Sequence, residues 1–355
     1  MFIATKLAFR IASLKTVTKI NTKKCQIVAF VFLGEFGYEL LNWQGLVRRY
    51  SHNNPDKTIV ALSRTSCEML YTDHSKFIAL DSNDRYLKSV ASGYFARHPK
   101  GRANGVRDCL GTIALRRSIV IHIKQEIKTN NVKVVFSDRC RQVDGIQFGA
   151  SRFRFGLEPE HASIYDGKEL GQNKYIKLKT EHKLTIEIEN DYIFVMTARR
   201  SRIVRDGKTL DIESILNALS SIGTVVVGEF KTVRTDETEP IFNSNPQIRR
   251  HSISNMDEQI NLINSSKVCV FISEGDFRSH TYVPPMAGRD VFVIGSSGIF
   301  KNGDIEGWNR HVFEFGGQII PLPVELIDSN SQSGYERFQN IISNELKKPL
   351  PRFNK

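Results

Sequence analysis

Short apolar runs alternate with helical patterns along most of this 355-residue chain, and this alternation constrains the fold more than any other feature. In the first half, residues 37–50 have the apolar spacing of a helix, while 119–123 fit either a helix or a strand. Four apolar runs are predicted to be strands: 27–33, 58–62, 77–80 and 132–136. A chain that alternates strands and helices in this way predicts an α/β fold with a mostly parallel sheet.

The second half repeats the alternation with its own strands. Residues 210–219 and 256–263 are predicted to be helices, and 279–287 is predicted to contain a short helix broken by two prolines. The predicted strands are 192–197, 224–228, 268–272 and 291–294. The region 137–185 between the halves is polar and irregular, as expected for loops and a linker. We therefore expect two Rossmann-like α/β domains that face each other across a cleft, where ligands bind in such proteins.

These patterns predict four divisions of the chain. They are a basic N-terminal segment (1–25), an N-terminal domain (26–185), a C-terminal domain (186–330) and a C-terminal helix with a basic tail (331–355). The helix of the last division is expected at 335–346, where it would close the structure and cross back toward the first domain.

The net charge of +12 comes mainly from the two ends of the chain. Residues 1–34 hold six basic residues and no acidic one, and the last nine residues hold four basic ones. The rest of the chain is close to neutral, which disfavours nucleic acid as a partner. Apolar residues at helical spacing within 3–14 predict an interfacial helix on an anionic membrane surface. The alternatives are a solvated leader or a helix that packs on the body.

Several motifs are missing from the sequence, and their absence argues against specific classes of protein. Five cysteines are scattered singly, which argues against a disulfide framework and a zinc site and indicates a reducing, cytoplasmic location. No apolar run approaches the roughly 20 residues of a membrane span. The sequence has no metal-binding motif, Walker A loop or spaced G-x-G-x-x-G. Neither a metal nor another cofactor is expected, and P-loop ATPases and nicotinamide-dependent dehydrogenases are disfavoured.

The first candidate site is the segment LGEFGYELLNWQG at 33–45. Gly34 and Gly37 allow backbone N–H groups to approach a ligand where a helix begins. Glu35 lies at the end of the first predicted strand, where a general base would be placed. The alternative is a plain turn whose glycines serve the backbone alone.

The second and third candidates also follow predicted strands. In VMTARRSRIVRDG (195–207), clustered arginines predict a diphosphate site, because guanidinium groups bind phosphate in a bidentate manner. The alternative is a solvated basic loop. In VFISEGDFRSHTYVPPMAGRDVFVIGS (270–296), small and polar residues lead into a short helix, a pattern that predicts a phosphate site. A weaker candidate is Gly228 with Glu229, which follow a predicted strand and could bind a ribose, although a surface loop is the simpler interpretation.

These segments together resemble glycosyltransferases of the GT-B fold. The turn at 34–40 is similar to the G-x-G-N-Q loop of fucosyltransferase-like enzymes, with Tyr38 and Glu39 in place of Asn and Gln. The arginine-rich segment falls where those enzymes keep H-x-R-R, with Thr197 and Ala198 in its histidine region. The segment 273–280, followed by 288–295, resembles the D-S-G-x-x-H region of heptosyltransferases. The resemblance covers the first turn and about residues 190–298.

The resemblance implies metal-independent transfer of a hexosyl or deoxyhexosyl group from a GDP-, UDP- or ADP-linked sugar to a glycan or lipid-linked glycan. The C-terminal domain would bind the nucleotide sugar and the N-terminal domain the acceptor. If the reaction inverts the anomeric centre, the acceptor hydroxyl needs a base, and Glu35 is the candidate by its position. The implied substrate-binding residues are Gly34, Gly37, Tyr38, Arg199, Arg200, Arg202, Gly228, Glu229, Ser273, Glu274, Asp276, Arg278, Ser279 and His280.

The implied setting is cell-surface polysaccharide biosynthesis, in the cytoplasm or peripherally at the inner face of the membrane. Two alternatives stay open. One is a glycosyltransferase that acts on DNA bases, which the net charge motivates. The other is a non-catalytic binding protein that has kept the fold.

Overall fold

The computed structural model describes residues 19–33, 36, 39–73, 75–81, 106–137, 142–144, 146–147, 176–179, 192–197, 212–230, 245–272, 279–295, 315–323 and 332–347. The chain divides into two compact units, Met1–Ile176 and Lys177–Lys355. The predicted boundary at 185 and 186 lies outside the described residues, as does the basic segment before residue 19. Within the described residues, no helix is both long and apolar enough to cross a membrane.

The N-terminal unit is built on a four-stranded parallel sheet in the order β4–β3–β2–β5, beside a small sheet of three short strands. The strands of this unit are β1 (Lys19–Ile20), β2 (Ile27–Val31), β3 (Thr58–Ser63), β4 (Lys76–Ala79), β5 (Val132–Phe136), β6 (Gln142–Val143) and β7 (Ile146–Gln147). Its helices are α1 (Gln44–Asn53), which continues from a π-helical turn at Glu39–Trp43, and α2 (Val106–Ile127). The strands and the first helix predicted for this half are confirmed, and residues 119–123 lie in a helix.

Helices cover both faces of this sheet. The rings of Phe30 and Phe32 lie on one face against Trp43, with ring centroids 6.1 Å apart in both pairs. On the other face, Ala29 and Val31 belong to a core cluster with residues of α2. Because both faces are buried, the central strands β2 and β3 are apolar at nearly every position rather than alternating.

The small sheet ties the start of the described chain to the main body of the unit. Asp144 lies between β6 and β7 and accepts hydrogen bonds from Thr22 N (2.8 Å) and from Tyr50 Oη (3.1 Å). Burial opposes ionisation of Asp144, but the hydrogen bonds from the Thr22 hydroxyl, from Thr22 N and from Tyr50 hold its pKa below the ordinary value. The expectation that 137–185 contains loops alone is therefore wrong, because β6 and β7 lie within it.

The C-terminal unit is built on a six-stranded parallel sheet in the order β10–β9–β8–β11–β12–β13. Its strands are β8 (Tyr192–Thr197), β9 (Thr224–Phe230), β10 (Ile248–Ile253), β11 (Val268–Ile272), β12 (Val291–Gly295) and β13 (Ile319–Pro323). Its helices are α3 (Ile212–Ser220), α4 (Met256–Ser265), α5 (Val283–Met286) and α6 (Gln332–Lys347). The helix expected at 335–346 is confirmed as α6.

Helices lie on both faces of this sheet as well. Ile193 and Val195 of β8 belong to a core cluster with α3 and with Ile342 of α6. The opposite face of β8 packs against α4, where Tyr192 Oη donates a hydrogen bond to the Leu262 carbonyl at 2.7 Å. The unit is therefore a three-layer α/β structure, and the predicted α/β class is confirmed for both halves of the chain.

One local expectation is wrong. Pro284 and Pro285 do not break a helix, because they lie in the first turn of α5. A proline is tolerated at that position since the first N–H groups of a helix have no partner within the helix. The turn at Ser279–Tyr282 leads directly into α5.

Candidate functional site

The strand order of the C-terminal unit defines a topological switch point. The first strand of the unit, β8, lies between β9 and β11, and the chain runs outward from it in both directions. In open parallel sheets, ligands bind outside the carboxyl ends of the strands where the order reverses. For this sheet, that position is the carboxyl end of β8 and β11.

Two of the sequence-predicted segments begin at this switch point. Thr197 and Ile272, the last residues of β8 and β11, are paired in register, so the two segments that follow start on neighbouring strands about 4.8 Å apart. The structure thus brings together the starts of 198–211 and 273–278. The candidate side chains in them lie outside the described residues, and their roles stay predictions: Arg199, Arg200, Arg202, Ser273, Glu274, Asp276 and Arg278.

A helical turn begins directly after the second segment. Ser279 and His280 open the turn that leads into α5, and His280 is partly buried. A helix start was expected at this position, and the structure has one. The assignment of Ser279 and His280 to substrate binding stays a prediction.

Gly228 and Glu229 lie within β9 rather than after it, so the strand end was predicted too early. A Cβ atom at Gly228 would lie 2.7 Å from Cε2 of Phe194 and 2.8 Å from Cδ1 of Ile253, so the close packing of these two side chains requires a glycine. Glu229 Oε1 accepts hydrogen bonds from Arg250 Nη2 at 2.5 Å and from Arg250 Nε at 3.1 Å. Both residues thus have a structural role in the sheet, while a role in ligand binding stays a prediction.

The N-terminal unit has a switch point of its own between β2 and β5. The first strand of its four-stranded sheet, β2, lies between β3 and β5, so the segment 34–38 follows in the chain a strand end where the strand order reverses. The candidate residues of this turn, Gly34, Glu35, Gly37 and Tyr38, lie outside the described residues. The residues on either side of the turn are described, and they reveal two features that the sequence did not.

The first feature is Ser137, the residue that follows β5. Its N–H donates to the Val31 carbonyl at 2.9 Å, and its hydroxyl accepts from Leu33 N at 2.8 Å while lying 3.4 Å from the Leu33 carbonyl oxygen. Ser137 is 2% exposed. A single buried hydroxyl therefore holds both backbone groups of the residue that precedes the turn.

The second feature is Glu39, the residue that follows the turn, whose side chain is fully buried. Glu39 Oε1 accepts a hydrogen bond from Tyr71 Oη at 2.9 Å, and Oε2 lies 3.3 Å from Nη2 of Arg64. Burial, with the Glu39 carboxylate beside it, raises the pKa of Tyr71 well above its ordinary value, so the phenol keeps its proton and donates. The sequence did contain a signal for this buried carboxylate. Glu39 lies four residues before Trp43 and seven before Leu46, a helical spacing that places it on the same buried side as these two apolar residues.

Cys67 lies close to the same carboxylate but is not a nucleophile. Burial raises the pKa of the Cys67 thiol, and the charge of Glu39 raises it further. A thiol held protonated in this way is unreactive. Within the described ranges, no group of three or more His, Cys, Asp or Glu residues could hold a metal ion.

The fold and the two switch points define this chain as a two-unit α/β protein with a Rossmann-like sheet in each unit. No protein family and no curated protein matches the sequence. Among solved structures, the chain is similar to a family 9 glycosyl transferase from Veillonella parvula, with 10% identity, a TM-score of 0.48 and coverage of 90% of this chain and 97% of that one. It is also similar to two Escherichia coli enzymes.

One of these enzymes is the heptosyltransferase WaaC with ADP, with 9% identity, a TM-score of 0.46 and coverage of 90% and 99%. The other is the ADP-heptose lps heptosyltransferase II, with 12% identity, a TM-score of 0.45 and coverage of 90% and 98%.

Proposed function

We propose that this protein transfers a hexosyl or deoxyhexosyl group from a GDP-, UDP- or ADP-linked sugar to a glycan or lipid-linked glycan acceptor. The observation that carries the proposal is the register of Thr197 with Ile272, from which the arginine-rich segment and the segment 273–280 both begin. A diphosphate at this edge would meet guanidinium groups from one segment and a helix start from the other. Both are groups that bind phosphate.

The reaction needs two kinds of group, and the sequence supplies one on each unit. The acceptor hydroxyl attacks the anomeric carbon, and the bond from that carbon to the diphosphate oxygen breaks. Arg199, Arg200 and Arg202 would stabilise the charge on the departing nucleoside diphosphate without a divalent ion. Glu35, in the turn at the switch point of the N-terminal unit, would take the proton of the acceptor hydroxyl.

Nucleotide binding is the first test. We expect ADP, UDP or GDP to bind the full chain in isothermal titration calorimetry with EDTA present. The double variant R199A/R200A should weaken this binding by at least about 100-fold, because each of the two charge-assisted hydrogen bonds contributes roughly 1.5–3 kcal/mol. The matched control is R117A/R337A, which removes two positive charges at exposed positions of α2 and α6. If no nucleoside diphosphate binds, or if both double variants lose the same affinity, the proposed donor site is wrong.

Turnover is the second test. Incubation with a panel of nucleotide sugars should release the nucleoside diphosphate from at least one of them, and this release should persist in EDTA. Glu35→Gln should keep the nucleotide affinity of the wild type while it lowers transfer to the acceptor, because the carboxamide cannot accept the proton. A Glu35→Gln variant with full turnover would remove Glu35 from the mechanism and leave the donor site standing.

The cellular setting belongs to the same proposal. Transfer to a lipid-linked glycan would occur at the inner face of the membrane, and the basic residues of 1–34 would bind its anionic surface. Residues 1–18 lie outside the described residues. Co-sedimentation with anionic vesicles, compared between the full chain and one that begins at residue 19, tests this part separately.

A further inference from the structure

We propose that Ser137 and Glu39 are positioning residues that fix the two ends of the turn at 34–38. The catalytic role of this segment rests on the proposed function, in which the segment carries the base Glu35. The contacts of Ser137 and Glu39 at its two ends rest on the hydrogen bonds of the described residues. Neither residue belongs to the predicted set of substrate contacts.

A catalytic base must be held in position relative to the atom it deprotonates. Gly34 and Gly37 are two of the five residues of the segment 34–38, and glycine restricts the backbone less than any other residue. Residues on either side of the segment can supply the positioning, and Leu33 and Glu39 are the described residues that border it.

At the entry to the turn, Ser137 extends the sheet by one residue. β2 and β5 are paired up to Val31 and Phe136, and the backbone N–H of Ser137 continues this pairing with a bond to Val31 O at 2.9 Å. Beyond it, the Ser137 hydroxyl takes the place of a further strand residue by binding Leu33. The backbone of Leu33, 104 positions away in the chain, is thus held just before the turn begins.

At the exit from the turn, Glu39 anchors the chain from inside the unit. Its carboxylate binds Tyr71 and Arg64, which come from the segment after β3, at the same end of the sheet. A buried ion pair rarely stabilises a fold more than an apolar pair of the same size would. The directional bonds of the Glu39 carboxylate do fix the position of the Glu39 backbone, which directly follows Tyr38.

The experiment compares Ser137→Ala and Glu39→Gln with a matched control, Ser266→Ala. Ser266 is also fully buried, and its hydroxyl donates to the Ile263 carbonyl at 2.8 Å in the C-terminal unit. Each protein is measured in three ways: amide hydrogen exchange of the peptide covering 33–43, affinity for the nucleoside diphosphate, and turnover with the nucleotide sugar. Ser137→Ala removes one hydroxyl and should fold even if Glu39→Gln does not.

We expect Ser137→Ala to speed exchange in the 33–43 peptide about fivefold, the effect of losing one hydrogen bond. Glu39→Gln should speed it by tenfold or more, because the buried carboxylate whose charge Arg64 and the Tyr71 hydroxyl stabilise is lost. Both variants should lower kcat at least tenfold and leave nucleotide affinity unchanged. Ser266→Ala should change neither the exchange of this peptide nor turnover, and Ser137→Thr, which keeps the hydroxyl, should restore both in part.

Two results would overturn the inference. Unchanged exchange in 33–43 for Ser137→Ala would mean that the hydroxyl does not hold the turn. Faster exchange with wild-type kcat would mean that the contacts are structural alone. Failure of the wild type to bind any nucleoside diphosphate would instead refute the proposed function, and the exchange data would still decide whether Ser137 and Glu39 hold the turn.

Discussion

Replacing Gly228 by alanine separates a packing role from a ligand-binding role for this residue. The sequence predicts that Gly228 contacts the substrate, and in the structure it lies in β9 and packs closely against the ring of Phe194, so the substitution tests the two roles separately. A Cβ atom there would lie 2.7 and 2.8 Å from two ring carbons of Phe194 and 2.8 Å from Ile253 Cδ1. Ordinary carbon–carbon contacts are about 3.5–4.0 Å, so the ring would have to move by roughly 1 Å.

The expected cost follows from this overlap. Overpacking of a well-packed core costs about 1–3 kcal/mol. Alanine regains about 0.4–1 kcal/mol, because it restricts the unfolded chain more than glycine does. We therefore expect Gly228→Ala to lower the free energy of unfolding by about 1–2 kcal/mol and the urea midpoint of the C-terminal unit by about 0.5–1 M. Nucleoside diphosphate affinity, measured well below that midpoint, should stay at the wild-type value.

The assay is urea unfolding followed by circular dichroism, with the affected unit identified by pulse proteolysis and mass spectrometry. Phe194→Leu is the partner variant, since a smaller side chain leaves room for the new methyl group. In a double-mutant cycle, the two substitutions together should cost less than the sum of the single ones. A Gly228→Ala protein of wild-type stability that no longer binds nucleotide would refute the packing explanation and support a ligand contact.

Other substitutions test the same structure. Burial opposes ionisation of Glu258, but the hydrogen bonds it accepts from the main chain of Ser254 and from His251 hold its pKa below the ordinary value. Ionised Glu258 therefore stabilises the fold above its unfolded-state pKa of about 4.3, and this stabilisation is lost as the pH falls through the lower pKa of the folded state. Urea midpoints measured from pH 6 to 3 should therefore decline less in Glu258→Gln than in the wild type. Gly317→Ala should lower the thermal midpoint more than Gly316→Ala. A Cβ at 317 would lie 2.5 Å from a backbone oxygen, whereas one at 316, where φ is +88°, would meet no described atom within 4 Å and costs about 1–2 kcal/mol of backbone strain. Tyr192→Phe should cost about 1 kcal/mol in urea unfolding, because the phenol loses its hydrogen bond to α4.

The sequence predicted the interior strands of the four-stranded and the six-stranded sheet but missed the two edge strands of the six-stranded sheet. β8 and β11 are apolar at nearly every position because other strands and helices surround them. β10 and β13 are the outermost strands of the same sheet. The sequence of β10, IRRHSI, is largely polar, and β13 carries two prolines, which an edge strand tolerates because one side of it needs no ladder partner. Neither segment has the apolar run by which a strand is recognised.

The candidate site was predicted as separate segments, and the reason is again physical. A sequence shows which residues follow a strand, but the order of strands in a sheet depends on contacts between distant parts of the chain. The pairing of Thr197 with Ile272 is such a contact, and so is the bond from Ser137 to Leu33. Glu39 was missed for a different reason. It was noted only as the residue in place of the motif's glutamine, whereas in the structure its side chain is buried and binds Tyr71 and Arg64.

In the proposed mechanism, the base Glu35 follows a strand of the N-terminal sheet, so charged groups near that strand end bear on its proton affinity. A carboxylate beside an uncompensated guanidinium is stabilised in its charged form, so its pKa falls and it becomes a weaker proton acceptor. Arg64 follows β3 at the end of the N-terminal sheet where the turn at 34–38 begins, and it is paired there with the buried Glu39. In this mechanism Glu39 would serve two purposes: it holds the residue that follows Tyr38, and its charge offsets that of Arg64. A base at position 35 would then keep the proton affinity that acceptor activation requires.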